Sequence, residues 1–267
     1  MILSTSRFLV RGPRVVLHFI VGIYKIRALK RQHGEKWNTI KIGRRAIRQW
    51  MSEACDIIGL KVDIEGAVPH QKGQLYIANH VSWLDIIAIA SVTDCKFLSK
   101  ATVRHWPVIG WFTASMGSLF IRRQSRRAFH KSLQRVKERL QSGESVCVFP
   151  EGTTSDGRHV LPFHSGLLQA AIDAEVVVQP MVLKYQTKDG VYEEHAPYYG
   201  RDVFLLHMFR LLGKRETRLS LSMLPAMPQR AGADRQQLTR VLQQRFTREL
   251  ESSVTKMDPQ VVLETSY

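Results

Sequence analysis

The sequence predicts an α/β fold: a mostly parallel central sheet flanked by helices, with an N-terminal helical segment set apart by its charge. Three observations carry this expectation. Beyond residue 60, short apolar runs alternate with stretches of helical period, the pattern of strands joined by crossover helices. The 267-residue chain is 44% hydrophobic and 23% charged, a globular composition long enough for one large core rather than a disordered, collagenous or disulfide-built chain. Residues 1–50 hold 12 basic side chains against Glu35 alone, a balance that a packed core does not require.

Taken in order, the first element is the apolar run Val15–Tyr24, bounded by Arg14 and Lys25. As a helix it would span about 15 Å, roughly half a bilayer core, so it does not cross a membrane. No small-residue cleavage site precedes the basic run Lys25, Arg27, Lys30, Arg31, so the segment is expected to be retained. Pro13 suits a first helical position and is expected to start the helix. On a helical wheel Arg7, Arg14, His18 and Lys25 fall within about 40°, with Val15, Val16, Phe19, Ile20 and Ile23 elsewhere. Cations beside an apolar face suit a membrane-interface helix; a terminal helix packed on the protein's own core is the alternative. A second amphipathic helix over Ile40–Ile58 ends at Gly59, a residue suited to a left-handed C-cap.

Strands are expected at Lys61–Glu65, Gln74–Ala78, Lys96–Leu98, Ser118–Ile121, Val146–Phe149, Val176–Leu183 and Arg218–Leu224. Helices are expected at Trp83–Ser91, Ser125–Gln141, Ser165–Ala174, Val203–Leu212 and Asp234–Ser252. The domain plan is a basic, membrane-associating segment (1–59), a catalytic α/β domain (60–257) and a tail (258–267).

The formal charge of +16 is uneven: +11 in residues 1–50, +9 in residues 99–140, and −4 elsewhere. Two basic blocks on a nearly neutral body point to an anionic partner, whether membrane surface, nucleic acid or acidic carrier protein. Cys55, Cys95 and Cys147 are odd in number and form no Cys-x-x-Cys pair, which argues against a disulfide framework or zinc site and for a reducing compartment. The stretch Trp106–Met116 (WPVIGWFTASM) is apolar and Trp-rich, suited to an interface, to an acyl chain or to a buried helix.

Three motifs could carry chemistry. In NHVSWLD (79–85), His80 lies between an apolar strand and an apolar helix, where α/β sheets gather reactive groups. A carboxylate on one imidazole nitrogen fixes the tautomer and leaves the other as a general base, so His80 and Asp85 suit deprotonation of a hydroxyl. A variant capping box, with Ser82 as N-cap and Asp85 three positions on, is the bland alternative. FPEGTTSDG (149–157) also follows a strand; Pro150 and Gly152 force an irregular turn crowded with Glu151, Thr153, Thr154 and Ser155, either a polar-substrate loop or simply a turn. GSLFIRR (117–123) ends in Arg122 and Arg123, which could clamp a phosphate or carboxylate or begin a solvated basic helix. Motifs for a serine hydrolase elbow, zinc protease, P-loop or dinucleotide fold are missing.

These blocks, in this order, resemble the lysophospholipid acyltransferase family of 1-acyl-sn-glycerol-3-phosphate and lyso-ornithine lipid acyltransferases, over about residues 70–185. NHVSWLD is similar to the family's His-x4-Asp block, GSLFIRR to its G-x-x-F-I-x-R block, FPEGTTSDG to its F-P-E-G-T block, and VVVQPMVL to its strand with a central proline, Pro180. The resemblance implies that His80 is the base that deprotonates an acceptor hydroxyl for attack on an acyl thioester, with Asp85 orienting it. It implies substrate-binding roles for Gly117, Arg123, Glu151, Gly152 and Thr153. Arg122 stands where the family often has Asp, and its role is open. Thr154 stands where members acting on phosphate-bearing glycerolipids usually carry Arg, whereas lyso-ornithine acyltransferases look similar in having a small polar residue. The implied partners are a lysolipid acceptor, an acyl carrier protein or coenzyme A thioester as co-substrate, and the anionic cytoplasmic face of the inner membrane. No other cofactor, no metal and no nucleic acid are expected. A thioester hydrolase using the same dyad on water, and a basic membrane- or nucleic-acid-binding module without activity, are the competing readings.

Overall fold

A computed structural model describes residues 2–69, 73–105, 109–121 and 125–255. Its seven strands are β1 (Leu60–Glu65), β2 (Leu75–Ala78), β3 (Lys96–Lys100), β4 (Leu119–Ile121), β5 (Val146–Val148), β6 (Val178–Gln186) and β7 (Thr217–Met223). They form one sheet in the order β1-β7-β6-β2-β5-β3-β4. Every neighbouring pair is parallel except β6 and β7. All seven expected strands are present; β3 runs two residues further than its apolar run, and β6 continues to Gln186 rather than ending at Leu183.

Both faces of the sheet are covered, which is why its central strands are apolar without alternating with polar residues. Along β2, Tyr76 and Ala78 enter one core with Met181, Leu183 and Cys147, while Leu75 and Ile77 enter the other with Val146, Val148 and Val182. Each fully buried aliphatic chain of this kind contributes about 1.5–3 kcal/mol.

The helices are α1 (Ile2–His33), α2 (Lys41–Ile58), α3 (Leu84–Val92), α4 (Ile109–Ser115), α5 (Arg126–Gln141), α6 (Gln169–Ala174), α7 (Phe204–Gly213) and α8 (Arg235–Thr255). α2 ends as its sequence predicts: Gly59 adopts φ +81° and its N–H closes on Cys55 O at 2.8 Å. α5 begins at Ser125, whose Oγ accepts from Ala128 N at 3.2 Å. Ile26 of α1, and Trp50, Met51 and Ile58 of α2, belong to the same core as β2, so the first 59 residues pack on the α/β body.

One expectation about α1 is corrected, and its basic stripe is divided between core and surface. Pro13 lies inside the helix and does not start it. The turns before it are held by tertiary contacts: Phe8 packs on Phe209 with ring centroids 4.5 Å apart, and Arg11 bonds to the end of α7. Nor does the basic stripe face outward as a whole. Arg11 donates to Leu212 O at 3.3 Å and Arg7 to Gly213 O at 3.4 Å, terminal carbonyls of α7 where the helix dipole favours cations, and Arg11 also donates to Lys214 O at 2.6 Å and Arg215 O at 2.9 Å just beyond the helix. His18 stacks on Trp50 at 4.8 Å and bonds to Trp50 O at 2.9 Å; burial lowers its pKa from the ordinary 6.5. Val15, Phe19 and Ile23 face the core, while Val16, Leu17, Ile20 and Tyr24 are exposed.

In α4, Phe112 is buried and stacks on Trp50 at 4.8 Å, while its neighbour Trp111 remains 38% exposed. Trp106 lies outside the described residues.

Candidate active site

The sheet delivers the site at the carboxyl end of β2, a strand whose every residue is buried. There the ladder gives way to side chains. Asn79 Nδ2 donates to Leu183 O at 3.0 Å and its Oδ1 accepts from Leu183 N at 2.8 Å, so one amide replaces a backbone pair and splices the end of β2 to β6. The chain turns at His80 and enters α3.

His80 Nδ1 lies 2.8 Å from Asp85 Oδ2, the side chains being 18% and 0% exposed. The same Oδ2 accepts from Val81 N at 2.7 Å and Ser82 N at 2.9 Å, and Oδ1 accepts from Tyr185 Oη at 2.6 Å. Four donors fill the acceptor sites of a buried carboxylate, which would otherwise be costly to desolvate. Asp85 is therefore both the partner of His80 and the acceptor for the Ser82 N–H that a capping box requires, although the Ser82 hydroxyl takes no part. With Nδ1–H committed to Asp85, the Nε2 lone pair is available to a substrate proton. The His80 ring also stacks on Phe149, with centroids 4.0 Å apart and planes at 13°, which leaves it little freedom to rotate.

The loop after β5 closes over this turn. Ser155 N donates to His80 O at 2.8 Å. Gly157, at φ +79°, packs so tightly that a Cβ there would lie 2.9 Å from Val81 Cγ1. Gly152, at φ +72°, takes the left-handed conformation that lets the loop turn back. Glu151 is 4% exposed, and neither carboxyl oxygen has a hydrogen-bond partner among the described residues. Burial first, and then the Asp85 charge, push its carboxyl up from 4.5 to about 8. Glu151 is thus a neutral acid beside the dyad near pH 7. Thr153 is exposed and Thr154 half-buried on the same loop.

Gly117 and Pro180, also singled out by sequence, have packing contacts of their own. Gly117 is in the left-handed region at φ +85°, and a Cβ there would come within 2.8 Å of Asn38 Nδ2. Asn38 in turn donates to Ser115 O at 3.0 Å and accepts from the buried Lys96 Nζ at 2.9 Å; burial lowers that ammonium to about 8. Gly117 thus has a packing reason of its own. Pro180 is buried in β6 opposite Ile77, one residue before the β6–β7 ladder begins at Met181, so its missing N–H interrupts nothing in that ladder. Arg122 and Arg123 lie outside the described residues.

Sequence reasoning missed Tyr185, Asn79 and Phe149. The signal for Tyr185 was strand alternation: carried two residues past Leu183, it places Tyr185 on the same face as Met181 and Leu183.

Comparison with known proteins agrees with this fold. The profile of the family described as Acyltransferase matches residues 59–184. A lyso-ornithine lipid O-acyltransferase of Pseudomonas aeruginosa is 39% identical over 201 residues, covering 75% of this chain and 76% of that protein. A 1-acyl-sn-glycerol-3-phosphate acyltransferase of Neisseria gonorrhoeae is 43% identical over 133 residues, covering 50% of this chain and 52% of the other. The crystal structure of the 1-acyl-sn-glycerophosphate acyltransferase from Thermotoga maritima superposes with a TM-score of 0.67 at 20% identity, over 94% of each chain, and so shares the fold. The sheet, the His80 turn and these similarities lead to one conclusion: the chain belongs to the acyltransferase family.

Proposed function

We propose that this enzyme moves a fatty acyl group from an acyl carrier protein or coenzyme A thioester to the free hydroxyl of a lysolipid, and that a lyso-ornithine lipid is its acceptor. The observation that carries the chemistry is the His80–Asp85 contact, with Asp85 locked by three further donors. His80 Nε2 takes the proton of the acceptor hydroxyl as its oxygen attacks the thioester carbonyl. Asp85 stabilises the imidazolium that forms. When the tetrahedral intermediate collapses, the carbon–sulfur bond breaks and Nε2 returns the proton to the departing thiolate. The products are an ester and a free thiol, with no covalent acyl-enzyme.

Two observations favour the ornithine lipid over lysophosphatidic acid. Thr154 supplies no cation on the loop beside His80. The relative named for ornithine lipid matches three quarters of this chain, against half for the glycerol-phosphate relative from Neisseria gonorrhoeae. Side-by-side acylation of the two lysolipids by the unmodified protein and by Thr154→Arg tests this. Preference for the ornithine lipid, shifted toward lysophosphatidic acid in Thr154→Arg, supports the assignment; phosphatidic acid as the main product of the unmodified protein overturns it.

The reaction belongs on the cytoplasmic face of the inner membrane. Among the described residues no helix is long and apolar enough to cross a bilayer, whereas α1 turns Leu9, Val16, Leu17, Ile20 and Tyr24 outward. Three buried cysteines without disulfides suit the reducing side. An apolar face beneath Arg14, Lys25 and Arg27 is suited to lie among acyl chains with its cations at anionic headgroups. The basic residues of α5, including the exposed Arg126, Arg127, Lys131 and Arg135, suit an acidic carrier protein or the phosphates of coenzyme A.

A further inference from the structure

α7 does not end at its contact with α1. Its buried side consists of His207, Leu211 and Leu212, but its other side is apolar as well: Leu205 is 66% and Leu206 64% exposed, and Phe209 and the preceding Val203 and Tyr199 are also open. A helix facing water on that side would carry polar residues there. The patch is continuous with the outward face of α1, because Phe209 touches Phe8 and the next residues of α1, Leu9 and Val10, are exposed.

α7 is also bound to the catalytic turn. Trp83 Nε1 donates to His207 Nδ1 at 3.0 Å, and His207 Nε2 donates to Pro197 O at 2.8 Å. Tyr198 N donates to Val81 O at 2.9 Å, and Phe204 packs on Trp83 with centroids 5.5 Å apart. The segment therefore moves with the turn that carries His80.

We infer that α7 is a second lipid-contacting element, which with α1 forms one bilayer-docking face and fixes the catalytic turn in orientation to the membrane surface. The occupant is an anionic lipid surface. Exposed Arg201, just before α7 and next to the exposed Asp202, and Arg210 on α7 flank the patch, and Arg14 flanks it on α1. In a two-fold contact with a second copy these like charges would gather at one interface, whereas anionic headgroups neutralise them. The inference rests on the membrane-surface reading above and adds to it the role of α7.

The test places a single environment-sensitive fluorophore at Leu206→Cys (α7), Leu17→Cys (α1) or Gln244→Cys (the exposed side of α8), on the full chain; Cys55, Cys95 and Cys147 are buried. Each protein is titrated with phosphatidylglycerol-containing vesicles and with pure phosphatidylcholine vesicles. The expected result is a blue shift at Leu206 and Leu17 with the anionic vesicles, none at Gln244, and at least tenfold weaker vesicle binding by an unlabelled Leu206→Glu protein. A shift at Leu17 alone overturns the role of α7. No shift at either site overturns the membrane reading with it, and a lipid-independent shift at Leu206 that grows with protein concentration assigns the face to a second copy. Because His80-dependent acyl transfer is measured separately on detergent-dispersed substrates, a failure here leaves the proposed chemistry standing.

Discussion

Tyr185 Oη donates a 2.6 Å hydrogen bond to Asp85 Oδ1, a hundred residues away in sequence and with Asp85 fully buried. Burial and the adjacent carboxylate hold the phenol well above its ordinary pKa, so it remains a donor throughout the working range. Tyr185 is a positioning residue: it touches no reacting atom, but it settles which Asp85 oxygen serves His80.

Tyr185→Phe keeps the ring and removes the donor. The expected cost is about 1–3 kcal/mol of stability, since one oxygen of a buried carboxylate loses its partner. kcat should fall about tenfold with KM little changed, the sign of disturbed positioning rather than lost binding. Urea unfolding and steady-state kinetics check both, together with the kcat pH profile, whose acid limb should shift in Tyr185→Phe; a merely structural role would leave that limb in place.

Glu151 gives a pH signature. Its carboxyl is raised to about 8 in the folded protein from an ordinary 4.5, so the folded state holds a proton that the unfolded chain releases between those values. Its contribution is fully present below about pH 4.5 and is lost as pH rises toward 8, by at most about 1.4 kcal/mol per unit. Glu151→Gln removes this slope. Unfolding at pH 5.5 and 7.5 should show the variant gaining on the unmodified protein by about 2 kcal/mol; parallel curves would contradict the assignment.

Gly117→Ala separates packing from acceptor binding. An alanine at φ +85° is strained, and its Cβ would press on Asn38, so about 1–3 kcal/mol of stability should be lost. Acceptor KM of the folded fraction should change little. A large KM effect with unchanged melting would instead return Gly117 to the acceptor site.

The sheet was legible because its strands are short apolar runs punctuated by glycine, proline and helical stretches, and the His80–Asp85 pair because both residues lie on one turn after such a run. Tyr185 was not legible: polar Lys184 ended the apolar run, although β6 continues past it in antiparallel pairing with β7. The orientation of α1 was not legible either. A wheel sorts residues by face but cannot say which face has a partner, and here the carbonyls ending α7 draw Arg7 and Arg11 inward. Removal of residues 1–32 would therefore take Ile26 out of the core and uncover Trp50, so substitutions on the outward face are the better probe of docking. Glu151 could be chosen as a polar loop residue, but its neutrality depends on burial beside Asp85, which no local pattern records.

Most direct is a product analysis with labelled acyl thioester and lyso-ornithine lipid, comparing the purified protein with His80→Ala and resolving acylated lipid from free fatty acid. The account predicts acylated lipid from the unmodified protein and at least about 100-fold less from His80→Ala. Equal acylation by His80→Ala, or free fatty acid as the only His80-dependent product, would contradict it.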